Sequence, residues 1–159
     1  MRLILILTLL SLNYTVAQNS YSTKSNWLID TNSSEEKFKK IEKQLRGFDL
    51  AMVEVGYRFN SFYFAIKDKN YPLANYQWDK IKKAMENGVQ RRPKRESSSK
   101  AMFLDTQYKS MKIALDKKDD KLIAKEYQQT KQVCNACHVA ERVPFIDVID
   151  PQYRWQPIK

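Results

Sequence analysis

The chain has 159 residues, with 28 lysine and arginine against 18 aspartate and glutamate side chains, which leaves a net charge of +10. That length suits one domain of about 100–200 residues, and hydrophobic residues, at 43% of the chain, are numerous enough to build a core. Only three glycines are present, which disfavours a glycine-rich nucleotide-binding fold, a β-sandwich or a barrel. One histidine and two cysteines are also one ligand short of a four-ligand zinc finger.

The N-terminal residues have the pattern of an export signal. Arg2 provides a positive charge, residues 3–12 form an apolar run, and Thr15 and Ala17 are small residues at the −3 and −1 positions of a cleavage site. We predict a signal peptide over residues 1–17, with an uncleaved N-terminal anchor as the alternative. The apolar run is too short for a typical membrane span, so the mature chain is expected to be exported, periplasmic and not membrane-spanning.

A polar stretch, residues 18–34, follows and is predicted to be a flexible leader. Ser33 with Glu36 three residues later is a capping-box signal for a helix start. Apolar residues then alternate spacings of three and four without interruption, which predicts one helix of about 45 Å at 1.5 Å per residue. These residues are Phe38, Ile41, Leu45, Phe48, Met52, Val55, Phe59, Phe62 and Ile66.

The same spacing predicts three further helices. Asn70-Tyr71-Pro72 starts the second, Ser97–Ser99 is expected to cap the third, and Asp119 or Asp120 suits the start of the fourth. Their inward residues are Ala74, Trp78, Ile81, Met85 and Val89; Leu104, Tyr108, Met111 and Leu115; and Ile123, Tyr127, Thr130, Cys134 and Cys137. We therefore predict an all-α fold, an antiparallel four-helix bundle over residues 35–143, with an extended aromatic tail at 144–159.

One short motif indicates a chemical function. Cys134-Asn135-Ala136-Cys137-His138 is C-x-x-C-H, the attachment signature of c-type haem. Two thiols add across the porphyrin vinyl groups and the adjacent imidazole ligates the iron. On a helix Cys134 and His138 are four residues apart and Cys137 is one turn from Cys134, so all three can meet one haem. Both cysteines and the single histidine of the chain fall within these five positions.

The motif has three alternative interpretations: a disulfide, a thiol redox site and a zinc site. A disulfide between Cys134 and Cys137 would suit an exported protein, but closing so small a loop in a helix contributes little stability. A thioredoxin-like redox site needs a βαβ setting, which the helical pattern does not provide. A zinc site would need a fourth ligand from elsewhere in the chain.

With this motif on the last of four predicted helices, the chain resembles the class II c-type cytochromes, the cytochrome c-prime and cytochrome c-556 group. The resemblance covers roughly residues 35–142. It implies one covalent haem c per chain inside the bundle, thioethers at Cys134 and Cys137, and His138 as the proximal iron ligand. It also implies that the first helix provides the distal side, which makes Met52 the candidate sixth ligand. The chain departs from the family at Val139–Pro144 and in its aromatic tail.

The basic stretch from Lys80 to Arg95 is the candidate partner surface; the alternative is an ordinary solvated helix face. Complementary charge accelerates encounter, so an acidic redox partner protein is expected to dock there. Nucleic-acid binding is not expected, because no recognition motif accompanies the charge. A homodimer is compatible with the resemblance.

Two functions follow from these residues. The first is a soluble monohaem electron carrier, which is not an enzyme because the chain offers no evident set of acid–base groups for a substrate. The second is a gas-binding haem protein for NO or CO, with an open distal site as in cytochrome c-prime. A filled or an open sixth position on the iron separates the two functions.

Overall fold

The computed structural model describes residues 27–159, and every regular element in this range is helical. Its elements are α1 (Ser34–Leu45), α2 (Phe48–Lys67), α3 (Tyr71–Arg91), a 3-10 turn (Pro93–Arg95), α4 (Glu96–Ser99), a π-helical segment (Lys100–Gln107), α5 (Tyr108–Lys117) and α6 (Asp120–Ala140). Because α4, the π-helical segment and α5 run on without a break, four long helical stretches follow α1. The all-α prediction is confirmed, and the four helices are compatible with a bundle.

Residue contacts and helix hydropathy bear on the organisation of the chain. Contacts divide the chain after Ile41 into two compact units, and the second unit, Glu42–Lys159, holds all the predicted site residues. Within residues 27–159 no helix combines the length and the hydropathy needed to cross a bilayer. The predicted signal peptide, residues 1–17, and residues 18–26 of the predicted leader lie outside the described residues.

The prediction of one long first helix is wrong, because the chain breaks between α1 and α2. Arg46 adopts a left-handed conformation with φ of 56°. The Asp49 carboxylate accepts the Gly47 N–H at 3.0 Å and pairs with the Arg46 guanidinium, which satisfies the start of α2 locally. A Cβ atom placed at Gly47 would lie 3.0 Å from Nε of Arg92, so this flexible side chain would have to shift. The apolar side chains of α1 are exposed: Phe38, Ile41 and Leu45.

Side-chain caps explain most of the other helix starts. Ser33 Oγ accepts the Glu36 N–H at 3.2 Å, and Asn70 Oδ1 accepts the N–H three residues later at 3.0 Å. Asp119 Oδ1 accepts the N–H groups two and three residues later, both at 3.0 Å. The predicted cap at Ser97–Ser99 is wrong, because the 3-10 turn leads directly into α4 before these serines.

The predicted inward faces of the later helices are confirmed. The buried members are Ala74, Trp78, Ile81, Met85, Leu104, Met111, Leu115, Ile123, Tyr127 and Thr130, and the half-buried members are Val89, Tyr108, Cys134 and Cys137. Trp78 is fully buried, its Nε1–H donates to the Tyr108 carbonyl at 3.0 Å, and its ring lies 4.9 Å from Phe62 and 5.3 Å from Phe103. An aromatic cluster around Trp78 therefore joins α2, α3 and the π-helical segment.

The π-helical segment turns a polar side chain into the interior. Gln107 is buried, and its Nε2 donates to the Glu126 carbonyl and to Thr130 Oγ1, both at 3.0 Å. The Thr106 hydroxyl donates to the Met102 carbonyl at 2.6 Å, within the wider turns of the segment. The segment is thereby tied to α6 by hydrogen bonds as well as by apolar packing.

The helices α2 and α3 pack tightly against each other at Gly88. A Cβ atom placed there would lie 2.7 Å from the Ala51 Cβ and 3.1 Å from the Phe48 ring. The gain in helix propensity on replacing glycine by alanine is about 1 kcal/mol, whereas overpacking costs about 1–3 kcal/mol. Gly88→Ala is therefore expected to lower the free energy of unfolding, measured by urea denaturation followed by circular dichroism.

The matched control for Gly88 is Gly56, in the interior of α2. No atom lies within 4 Å of a Cβ placed at Gly56, so Gly56→Ala gains propensity without a steric cost. This second variant is expected to be more stable than the parent by about 0.5–1 kcal/mol. Equal changes in stability in the two variants would contradict the close contact at Gly88.

The C-terminal tail, residues 144–159, is non-helical and belongs to the second unit. Buried Asn60 donates from Nδ2 to the Tyr153 carbonyl at 2.8 Å and accepts the Trp155 N–H on Oδ1 at 3.1 Å. Between these two residues, Arg154 pairs with Asp68 at 2.6 Å. The end of the tail is thus held to α2 by two hydrogen bonds from its backbone and by one ion pair.

The middle of the tail is anchored to α6 through Asp150. Its carboxylate accepts the Tyr127 hydroxyl at 3.0 Å and pairs with Lys131 at 2.6 Å. The hydrogen bond from Lys131, outweighing a small desolvation, lowers the pKa of Asp150, and burial together with this carboxylate raises the pKa of Tyr127. At neutral pH the carboxylate is therefore ionised and the phenol protonated, as the contact requires.

Candidate haem-attachment site

The C-x-x-C-H motif occupies the last turns of α6, which ends at Ala140. Cys134, Cys137 and His138 are all half-buried, and they continue the inward face that Tyr127 and Thr130 begin. Because residues three and four apart lie on the same side of a helix, the two thiols and the imidazole share one side of α6. The local helix that the attachment chemistry requires is therefore present.

Both cysteines are free thiols. Burial raises the pKa of Cys134 to about 12. Burial also raises the pKa of Cys137, against the opposing effect of the nearby Arg95 guanidinium. Catalytic and redox cysteines have lowered pKa values, so these protonated thiols do not resemble a thiol-exchange site.

The His138 imidazole is oriented by the tail. Its Nδ1 lies 2.7 Å from the Ile146 carbonyl oxygen, and because a carbonyl can only accept, Nδ1 carries the proton. In the tautomer with the proton on Nδ1, Nε2 is the nitrogen that can ligate a metal. Histidine ligands in metal sites commonly have this arrangement, with one nitrogen on the metal and the other donating to a carbonyl. Two free thiols and a ring with Nε2 available are the donor set that haem c needs, so these residues fit the group.

Met52 lies on α2, half-buried, and packs against the hydrophobic core. Its neighbour Ala51 contacts Gly88 near the end of α3, and Arg95, just after α3, pairs with Glu141, just after α6. These contacts bring the first turns of α2 and the last turns of α6 to the same end of the second unit. The placement is compatible with a distal role for Met52, and its ligation of iron stays a prediction.

The described residues bear on two of the other interpretations of the motif. No cluster of three or more His, Cys, Asp or Glu side chains suited to a metal ion occurs within residues 27–159. The same range contains no strand, so the βαβ setting of a thioredoxin-like site is missing from it.

One cleft on the described surface belongs to a different region. It has a volume of about 320 Å³ and lies between the end of α2 and the first half of α6, with Tyr63, Lys69, Asp120 and Tyr127 among its lining residues. Neither Met52 nor the motif takes part in this lining. The cleft is therefore separate from the candidate site.

Sequence reasoning missed the groups that hold the site from outside α6. The Ile146 carbonyl oxygen contacts Nδ1 of His138. The carboxylate of Glu141, just past α6, pairs with the Arg95 guanidinium and accepts a hydrogen bond from the Ser98 hydroxyl. The bond at Ile146 uses a backbone oxygen, which every residue has, so no side-chain pattern could have indicated it. The contacts to Glu141 join residues more than 40 positions apart, beyond the reach of local spacing.

No family model, curated protein or solved structure matches this chain.

Proposed function

We propose that the chain is an exported, periplasmic monohaem c-type cytochrome that carries single electrons. In this proposal it is an antiparallel four-helix bundle with one haem c attached covalently to α6. The observation that supports it best is that the only histidine, with its Nε2 free and its Nδ1 held by a carbonyl, adjoins two unpaired thiols at attachment spacing.

Each site residue has one role in the proposal. Cys134 and Cys137 form the two thioethers, each thiol adding its S–H across one vinyl group. His138 is the proximal ligand and Met52 the distal ligand. Bound haem supplies a one-electron ferric–ferrous couple, whose potential depends on the axial ligands and on burial. The Ile146 carbonyl orients the imidazole through its contact with Nδ1 of His138.

The basic stretch Lys80–Arg95 is the proposed docking surface for an acidic redox partner protein. Lys83, Arg91 and Lys94 are at least partly exposed, and they have no acidic partner within the described part of the chain. Their charges are therefore available to another molecule, and charge complementarity would steer its approach.

The test is an absorption spectrum of the full chain, expressed in a host that attaches haem c, in the oxidised, reduced and reduced-plus-CO states. We expect a red protein with a low-spin spectrum that CO does not change, because Met52 fills the sixth position. Met52→Ala is expected to open that position, to make the reduced spectrum respond to CO and to shift the potential.

The remaining outcomes count against the proposal in different ways. A high-spin parent spectrum that shifts with CO would overturn electron transfer in favour of gas binding. A colourless protein from the same host, in which a known c-type cytochrome is produced as a positive control, would contradict haem attachment altogether.

A further inference from the structure

The first variable residue of the motif, Asn135, bonds to the tail rather than to its own helix. Its Oδ1 accepts the Val148 N–H at 2.7 Å, and its Nδ2 donates to the Val148 carbonyl at 3.4 Å. The side-chain amide thus pairs with both backbone groups of one tail residue, as a neighbouring strand would. This contact fixes residue 148 next to the motif.

The carbonyl that orients His138 lies two residues earlier in the same tail segment. The chain first turns back on α6, with the Val143 N–H donating to the His138 carbonyl at 2.8 Å and the Ile146 N–H donating to the Val143 carbonyl at 3.0 Å. From there Ile146 reaches His138 Nδ1. Segment 143–148 is therefore held at one end by the end of α6 and at the other by Asn135.

We propose that Asn135 is a positioning residue for the proximal histidine, acting through segment 143–148 to fix the orientation and the tautomer of the His138 imidazole. This inference rests on the proposed haem function, because positioning matters for a ring that ligates iron. A carbonyl that accepts from Nδ1–H raises the basicity of the ligating nitrogen. Asn135 thereby tunes the iron as well as placing its ligand.

The test compares Asn135→Ala with Asn60→Ala. Both asparagines make two bonds to the tail backbone, but Asn60 holds residues 153 and 155, far from Ile146. The first readout is the ¹⁵N NMR signal of the imidazole of the full chain. We expect Asn135→Ala to remove the hydrogen-bonded Nδ1–H signal, and Asn60→Ala to retain it.

The second readout is the reduction potential of the haem-loaded protein. Loss of the hydrogen bond weakens the histidine as a donor and disfavours the ferric state. Asn135→Ala is expected to raise the potential by about 59 mV, which corresponds to a tenfold change in the equilibrium of a one-electron couple. Asn135→Asp keeps the acceptor for the Val148 N–H and is expected to retain the Nδ1–H signal of His138.

Two results would overturn the inference: an unchanged imidazole signal and potential in Asn135→Ala, or equal shifts in the Asn60→Ala control. Circular dichroism at a helix band identifies a variant that fails to fold. If Asn135→Ala does not fold, the NMR signal of Asn135→Asp decides. Loss of the Nδ1–H signal in this folded, conservative variant would count against the inference. The imidazole signal is measurable in protein without haem, so failure of haem attachment and failure of the positioning role give different results.

Discussion

Replacing both Cys134 and Cys137 with serine is expected to reduce covalent haem from one per chain to none. The chain has no other cysteine, so no second route to a thioether exists. The measurement is haem staining after denaturing electrophoresis, with the haem content determined from the spectrum of the pyridine complex. The effect is all-or-none, because a serine hydroxyl does not form the thioether.

The matched control is Ala136→Ser, which introduces the same hydroxyl between the cysteines without removing a thiol. Ala136 is exposed, so this variant is expected to fold and to keep its haem. Loss of haem staining in the control would mean that the helix rather than the thiols had been damaged. Retention of the stain in the double serine variant would contradict the assigned attachment.

Replacing Trp78 with alanine is expected to lower the free energy of unfolding by about 3–5 kcal/mol. Trp78 is fully buried, and its removal leaves a cavity between Phe62 and Phe103 and deletes the hydrogen bond to the Tyr108 carbonyl. Small domains are stable by only about 5–15 kcal/mol, so a large fraction of the total is lost. Urea denaturation followed at a helix band of the circular dichroism spectrum measures the change.

Tyr76, on the same helix, is the control for the Trp78 variant. Its side chain is 51% exposed, and its described contact is with the Lys80 ammonium. Tyr76→Ala is expected to change the free energy of unfolding by at most about 0.5 kcal/mol. A loss at Trp78 no larger than the one at Tyr76 would show that the aromatic cluster is not the centre of the core.

Periodicity predicted the helical class and the buried faces because those properties depend on local spacing. Trp78, Met111 and Tyr127 each lie at a predicted inward position, since residues three and four apart share one side of a helix. The motif was also visible for a local reason. Its two thiols and its imidazole fall within five residues, and one helix brings them together without help from the rest of the chain.

The same periodicity could not detect the break between α1 and α2. Leu45 and Phe48 are three residues apart, so the apolar spacing passes through the turn unchanged, although Arg46 has a positive φ there. The π-helical segment was missed for a similar reason, because wider turns alter the backbone without altering the composition. Backbone conformation at single residues decides both features, and apolar spacing does not report it.

The arrangement of the tail came only from the tertiary structure. Asn60 and Tyr153 are 93 residues apart in the chain, and Asn135 bonds to backbone groups of a segment that the sequence predicted merely to be extended. The Ile146 carbonyl that orients His138 has no signature in the residue types. Residue types and their spacing identify the atoms that would hold haem in the proposed function, whereas contacts between distant segments decide which nitrogen of His138 carries the proton and what holds the ring.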